Sequence, residues 1–135
     1  MKKTKILSLI FVFMVLVSVF ANSVQAASTY TNNTISTSTN FQITDSGVVR
    51  VGLCYCGREG ITTQAKITIT ISKRSYLFFW NKLETAIYYS DDIYYIHVHE
   101  SKVYSSGTYK CEVEYCISGT GGADDILTFE DTATY

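Results

Sequence analysis

The chain has 135 residues, with 11 basic and 12 acidic side chains, four cysteines, eleven tyrosines, one tryptophan and no proline. This balance excludes a nucleic-acid binder, whose phosphate partners call for a concentrated basic surface. The length leaves room for a leader and one domain, and the absence of proline excludes a proline-rich linker.

The leader comes first. Lys2, Lys3 and Lys5 precede residues 6–20, which are apolar except for Ser8 and Ser18, and Ala21-Asn22-Ser23-Val24-Gln25-Ala26 follows. A basic start, an apolar core and small residues before a cut are the three parts of a secretory signal peptide. The apolar core is too short to span about 30 Å of hydrocarbon comfortably. Cleavage after Ala26 is expected, giving a secreted, extracellular product with no stable membrane insertion. Without the three leader lysines, eight basic residues face twelve acidic ones, a net charge of -4.

Residues 27–40 are almost wholly Ser, Thr, Asn and Tyr and read as an extended polar lead-in to a domain over 41–135. Phe41 and Ile43 share a face before the turn signal Asp45-Ser46-Gly47. From Val48 to Cys56 the chain alternates, with Val49, Val51, Leu53 and Tyr55 inward and Arg50, Cys54 and Cys56 outward. After Gly57-Arg58-Glu59-Gly60, the segment TQAKITITIS places Ala65, Ile67, Ile69 and Ile71 on one face, as a half-buried strand does.

Residues 77–83 read as an aromatic strand, and residues 93–99 as another alternating one with Tyr94, Ile96 and Val98 inward and Tyr95 and His97 outward. Ser105-Ser106-Gly107 turns into residues 108–117, where Tyr109, Cys111, Val113 and Tyr115 face in. Residues 126–129 close the series. Seven short strands with one apolar face each predict an all-β fold, a two-sheet sandwich, with a small barrel as the alternative.

The segment SSGTYKCEVEYC narrows the architecture. In immunoglobulin-type sandwiches a tyrosine two residues before a cysteine closes a corner by hydrogen-bonding back to the backbone, and Tyr109 and Cys111 resemble that pattern. From Ile35 onward the order TITIS, tryptophan strand, SGTYKCEVEY and glycine-rich hairpin resembles small secreted immunoglobulin-like or fibronectin-III-like sandwich proteins of Gram-positive bacteria. The resemblance implies a fold more than an activity. It also departs from the antibody pattern, because Cys54 and Cys56 share an outward face and Trp80 lies far along the chain from Cys56.

Four cysteines permit three full connectivities. Cys56 and Cys116, each near the exit of its strand at one end of a sandwich, are the preferred bridge, leaving Cys54 and Cys111 free. A metal reading uses His97 and His99, which fall on one face of a strand, with the thiols as further donors. No zinc spacing supports it, and a solvent-facing histidine pair flanking the core positions Ile96 and Val98 is the plainer reading. Aromatic rings are in excess of what so small a core can bury, and Phe78, Trp80 and Tyr95 are the candidate ligand contacts.

Catalysis finds little footing. Asp91-Asp92 and Asp124-Asp125 fall in turns, and GTGGADD has no helix behind it to cradle a phosphate. No catalytic residue and no cofactor is expected. The sequence therefore points to a non-catalytic binding module whose partner is an extracellular protein or a cell-envelope or host polysaccharide. A self-associating matrix protein is the second class, since proline-free strands leave their edges open to pairing, and a metal-binding secreted protein is the third.

Overall fold

The computed structural model describes residues 31–135; the leader and its cleavage site lie outside them. Seven strands form, β1 (Thr34–Ile43), β2 (Val48–Gly57), β3 (Thr62–Tyr76), β4 (Phe79–Ser90), β5 (Tyr94–Lys102), β6 (Thr108–Gly119) and β7 (Asp125–Thr134). Among the described residues there is no helix. All pairings are antiparallel and make two sheets, β1-β2-β5 and β4-β3-β6-β7. The chain crosses between sheets after β2, β4 and β5, and returns within a sheet at the β1–β2, β3–β4 and β6–β7 hairpins.

Three strands build the core because their apolar residues alternate strictly. Val49, Val51, Leu53 and Tyr55 of β2 meet Ala65, Ile67, Ile69 and Ile71 of β3 and Tyr109, Cys111, Val113, Tyr115 and Ile117 of β6, and none of these is more than 1% exposed. Each fully buried Ile or Val contributes about 1.5–3 kcal/mol relative to exposure. The edge strands β1 and β7 close one side with Phe41, Leu127 and Phe129.

The polar segment that reads as a lead-in is already ordered strand from Thr34. Its Thr37 and Thr39 are half-buried and alternate with exposed Ser36, Ser38 and Asn40, so the alternation is present but written in hydroxyl residues. Thr39 Oγ1 lies 2.6 Å from the Tyr115 hydroxyl across the sandwich, which gives this polar strand a reason to pack.

Strand β5 is inverted relative to the sequence reading. Tyr94, Ile96 and Val98 are 59%, 63% and 51% exposed, whereas Tyr95 is half-buried and His99 buried. Pairing with β2 decides the face: Tyr95, His97 and His99 stand opposite Tyr55, Leu53 and Val51, which point inward. Val103, in step with them just past the strand, is anchored in the core. Tyr95 stacks on Tyr55 with ring centroids 5.7 Å apart.

The ends are fastened differently. At one end the β1–β2 turn, the β3–β4 hairpin and the β5–β6 loop gather, joined by Val103 N–H donating to the Gly47 carbonyl and by paired bonds between Gly107 and Tyr135. Tyr109 donates its hydroxyl to the Ser105 carbonyl, the corner bond its spacing predicts. At the other end Asp125, buried, accepts the backbone N–H groups of Asn32 and Asn33, both at 2.7 Å. Asn33 also donates to the Ile117 and Ala123 carbonyls and accepts from Gly121 N–H.

Burial is the largest single influence and works against the Asp125 charge, but the hydrogen bonds from Asn32, Asn33 and Thr34 together outweigh it and hold the carboxyl below its ordinary value. A lowered native pKa means stability that is complete above the unfolded value of about 3.9 and is lost as pH falls through the native one. Asp125→Ala, which strands two N–H groups, should cost about 1–3 kcal/mol and flatten the fall in stability below about pH 4, read by chemical denaturation across pH. Tyr109→Phe should cost about 1 kcal/mol by the same measurement at neutral pH, through loss of one hydrogen bond; an unchanged midpoint would show that the corner bond does not stabilise the fold.

Candidate functional site

The β3–β4 hairpin is the most unusual surface of the domain. Tyr76 pairs with Phe79, so Leu77 and Phe78 alone make the turn. Two-residue hairpins favour turns with left-handed residues such as Asn-Gly, yet no residue other than glycine has a positive φ among the described residues. Bulky apolar side chains occupy the place where turn chemistry would put small polar ones. Tyr76, Leu77, Phe78 and Phe79 are 70–85% exposed. Four consecutive exposed apolar residues have no packing role in the monomer.

Behind the tip the hairpin is twisted by two irregularities, between Arg74 and Tyr76 and between Ile71 and Ser72, the second leaving Leu83 unpaired and half-exposed. Trp80 then falls on the outer face of the four-stranded sheet. The Arg74 guanidinium lies 5.0 Å from its ring centre and the Lys110 ammonium 5.3 Å. Lys110 is itself 3.0 Å from Glu112. Beside the hairpin, Lys73, Leu83, Lys102, Val103 and Tyr104 line a groove of about 310 Å³, where Lys73 donates to Ser105 Oγ at 2.6 Å.

Of the three aromatic contacts expected from sequence, Phe78 and Trp80 belong to this hairpin and Tyr95 does not. Tyr95 is half-buried on the face turned to the other sheet, stacked on Tyr55 and near His97, rather than on the outward face expected from sequence. The sequence reading misses Tyr76, Leu77 and Phe79 as members of the tip, because nothing in YLFFW signals a turn. The one available clue is the length of unbroken apolar residues, too many in a row for a strand with one solvent face.

The histidines, expected to face solvent, are instead taken up by the inner face, because the register of β5 against β2 sets them opposite Leu53 and Val51. His99 Nδ1 and the Tyr88 hydroxyl lie 2.8 Å apart. Glu84 Oε1 is 3.1 Å from His99 Nε2, within ion-pair distance but out of line for a hydrogen bond. The His97 ring packs 4.4 Å from the Tyr88 ring. Both residues thus fill the side of the sandwich between β4 and β5, and no group of three His, Cys, Asp or Glu side chains is arranged for a metal among the described residues.

The preferred disulfide is not formed. All four cysteines are free. Cys56 and Cys116 do lie toward the same end, but each points outward from its own sheet. Two sheets packed about 10 Å apart place outward side chains far beyond the Cα separation of about 4.4–6.8 Å that a bridge needs. Cys54 and Cys56 share the outer face of β2 with Tyr94 and Ile96 opposite them. Burial pushes the Cys111 thiol up to about 12, with Asp131 and Glu112 adding to the effect. Burial and the neighbouring Asp124 carboxylate also raise Cys116.

Compared with protein-family models, curated proteins and solved structures, the chain matches none.

The thiols allow a direct check of this arrangement. In the reduced, folded protein an alkylating reagent should modify Cys54, Cys56 and Cys116 and spare Cys111 until denaturant is added, as read by intact mass. Early modification of Cys111, or a bridge between Cys56 and Cys116, would contradict the register of β6 against β3.

Proposed function

We propose that the domain is a secreted, non-catalytic binding module that presents the β3–β4 hairpin as its contact surface to a component of a cell envelope or host surface. The observation that carries the reading is the hairpin tip: four large apolar side chains held out in a turn that breaks the local preference for small polar residues. Departures from local sequence rules concentrate at functional sites. Secretion is supported by the three-part leader.

An immunoglobulin-like architecture fits the same proposal. The strand order is the constant-domain one with β4 moved from beside β5 to beside β3. Tyr109 supplies the corner bond. That move gives β3 a hairpin partner from Ala65 to Tyr76, and so supports the protruding tip.

Self-association is the second reading, and the outer face of edge strand β5 favours it. Tyr94, Ile96 and Val98 form an exposed apolar row on a strand whose far edge is unpaired. Under this reading the partner is a second copy, and the hairpin is incidental.

The double variant Leu77→Ser/Phe78→Ser separates the two. Because the tip packs on nothing, its stability should change by no more than about 0.5 kcal/mol. Wild-type protein should be retained by intact cells, peptidoglycan sacculi or an arrayed glycan, and the variant should not. Equal retention of both, or a concentration-dependent sedimentation coefficient abolished only by Ile96→Ser, would move the contact surface to β5.

A further inference from the structure

We infer that the partner of the hairpin is an anionic phospholipid surface, into which the tip dips without spanning it. This rests on the reading of the hairpin as the contact surface and names what it contacts. Beyond the pairing of Ile71 with Glu84, residues 72–83 carry Lys73, Arg74 and Lys82 and no acid. Among the described residues none of these three, nor Lys102, has a carboxylate within ion-pair distance; the paired cations are Arg50, His99 and Lys110. A domain with net charge -4 therefore concentrates unpaired positive charge around its most apolar projection.

The order of side chains along the hairpin matches the order of layers in a membrane interface. Leu77 and Phe78 lead, with Tyr76 and Phe79 beside them. At about 3.4 Å per strand residue, Trp80 follows about 7 Å behind Phe78, and Lys73 about 10 Å behind Tyr76. Interfacial segments bury their apolar face about 5–10 Å deep, tryptophan and tyrosine favour the headgroup level, and lysine and arginine reach past apolar stems toward phosphates. Tyr104, 85% exposed, with Lys102 over its ring, stands on the neighbouring β5–β6 loop and adds a second aromatic and cation at the same end. Lys73 and Lys102 line the groove of about 310 Å³ together with the apolar Leu83 and Val103, a lining suited to a phosphodiester and its glycerol.

Other partners fit less well. Polysaccharide sites offer rings with hydrogen-bonding groups around them in a concave wall, whereas this tip is convex and its only polar atom beyond the backbone is the Tyr76 hydroxyl. The tip arms beyond the second irregularity are also far shorter than the 9–11 residues of a spanning strand, so docking is peripheral.

The test uses the protein recovered from culture medium and vesicles of phosphatidylcholine alone or of phosphatidylcholine and phosphatidylglycerol in equal amounts. Trp80, the one tryptophan, reports its own environment. Expected are co-flotation with the anionic vesicles only, a blue shift of Trp80 emission, quenching by brominated acyl chains and release by salt. Leu77→Ser/Phe78→Ser should weaken partitioning at least about tenfold, and Lys82→Gln about fivefold for the one charge removed, with unchanged melting for both.

Absence of flotation by folded wild-type protein, or equal binding to both vesicle types without salt dependence, overturns the lipid assignment. If vesicles fail while the tip variant still loses retention on sacculi, glycans or cells, the lipid assignment falls and the contact-surface reading stands. If the tip variant behaves as wild type toward every probe, both fall.

Discussion

Three tyrosines wholly inside the core impose the constraint on which the rest of the fold depends. Tyr55, Tyr109 and Tyr115 are each 1% exposed or less, and a phenol buried without a partner for its hydroxyl costs about 1–3 kcal/mol. Each therefore has to end on a polar atom at the margin of the sandwich. Tyr55 donates to the Asp92 carbonyl at 2.6 Å, Tyr109 to the Ser105 carbonyl, and Tyr115 reaches Thr39 and Ser38 of β1. The first two bonds pin the crossovers after β4 and β5. The third ties the four-stranded sheet to the edge of the other. Burial raises the titration of Tyr55 and Tyr115, which keeps both neutral and able to donate through the physiological range.

With the crossovers fixed, β3 and β4 are free to extend. Beyond Ser72 the hairpin is fastened to the frame by Lys73, which donates to Ser105 and lies over the Tyr109 ring, while the tip residues Tyr76 to Phe79 stay exposed. The tip side chains can be chosen for a partner without cost to the fold, in the way that binding residues generally sit on projections from a rigid frame. The same separation accounts for the inner cluster of Tyr88, Tyr95, His97 and His99, which has the residue types of a functional site. At the open side between β4 and β5 a filler must be apolar along its body and polar at its tip, and tyrosine and histidine meet that need. Their chemistry is used in packing.

What could be read from the sequence follows from how much burial each strand has to advertise. Strands β2, β3 and β6 are central, and Val49 to Tyr55, Ala65 to Ile71 and Tyr109 to Tyr115 declare their faces by strict alternation. Strand β5 lies at an edge, where both faces carry apolar residues, so Ile96 and Val98 outweighed Tyr95 and His97 by hydropathy alone; only the register with Tyr55 and the burial of Val103 resolve it. Strand β1 is written in threonine and serine, whose pairing with Tyr115 is invisible without the third dimension. Spacing disclosed the Tyr109 corner because that bond is local, four residues from donor to acceptor. It misled on Cys56 and Cys116, because closeness along the sandwich axis says nothing about which side of a sheet a thiol faces.

The hairpin tip escaped the sequence reading for a related reason, and that reason strengthens the functional case. A turn is recognised by glycine, asparagine or proline, residues that make the chain bend at low cost. Here the bend is imposed from behind, by the long ladder between β3 and β4 and by their pairing across two bulges, so the tip need not carry turn residues at all. A sequence under selection for folding alone would place small polar side chains there, gaining solubility and a better turn together. Leu77 and Phe78 give up both. Under the proposal made above the compensation comes from outside the monomer, and the unpaired cations behind the tip are what favour a surface that is apolar within and anionic at its rim.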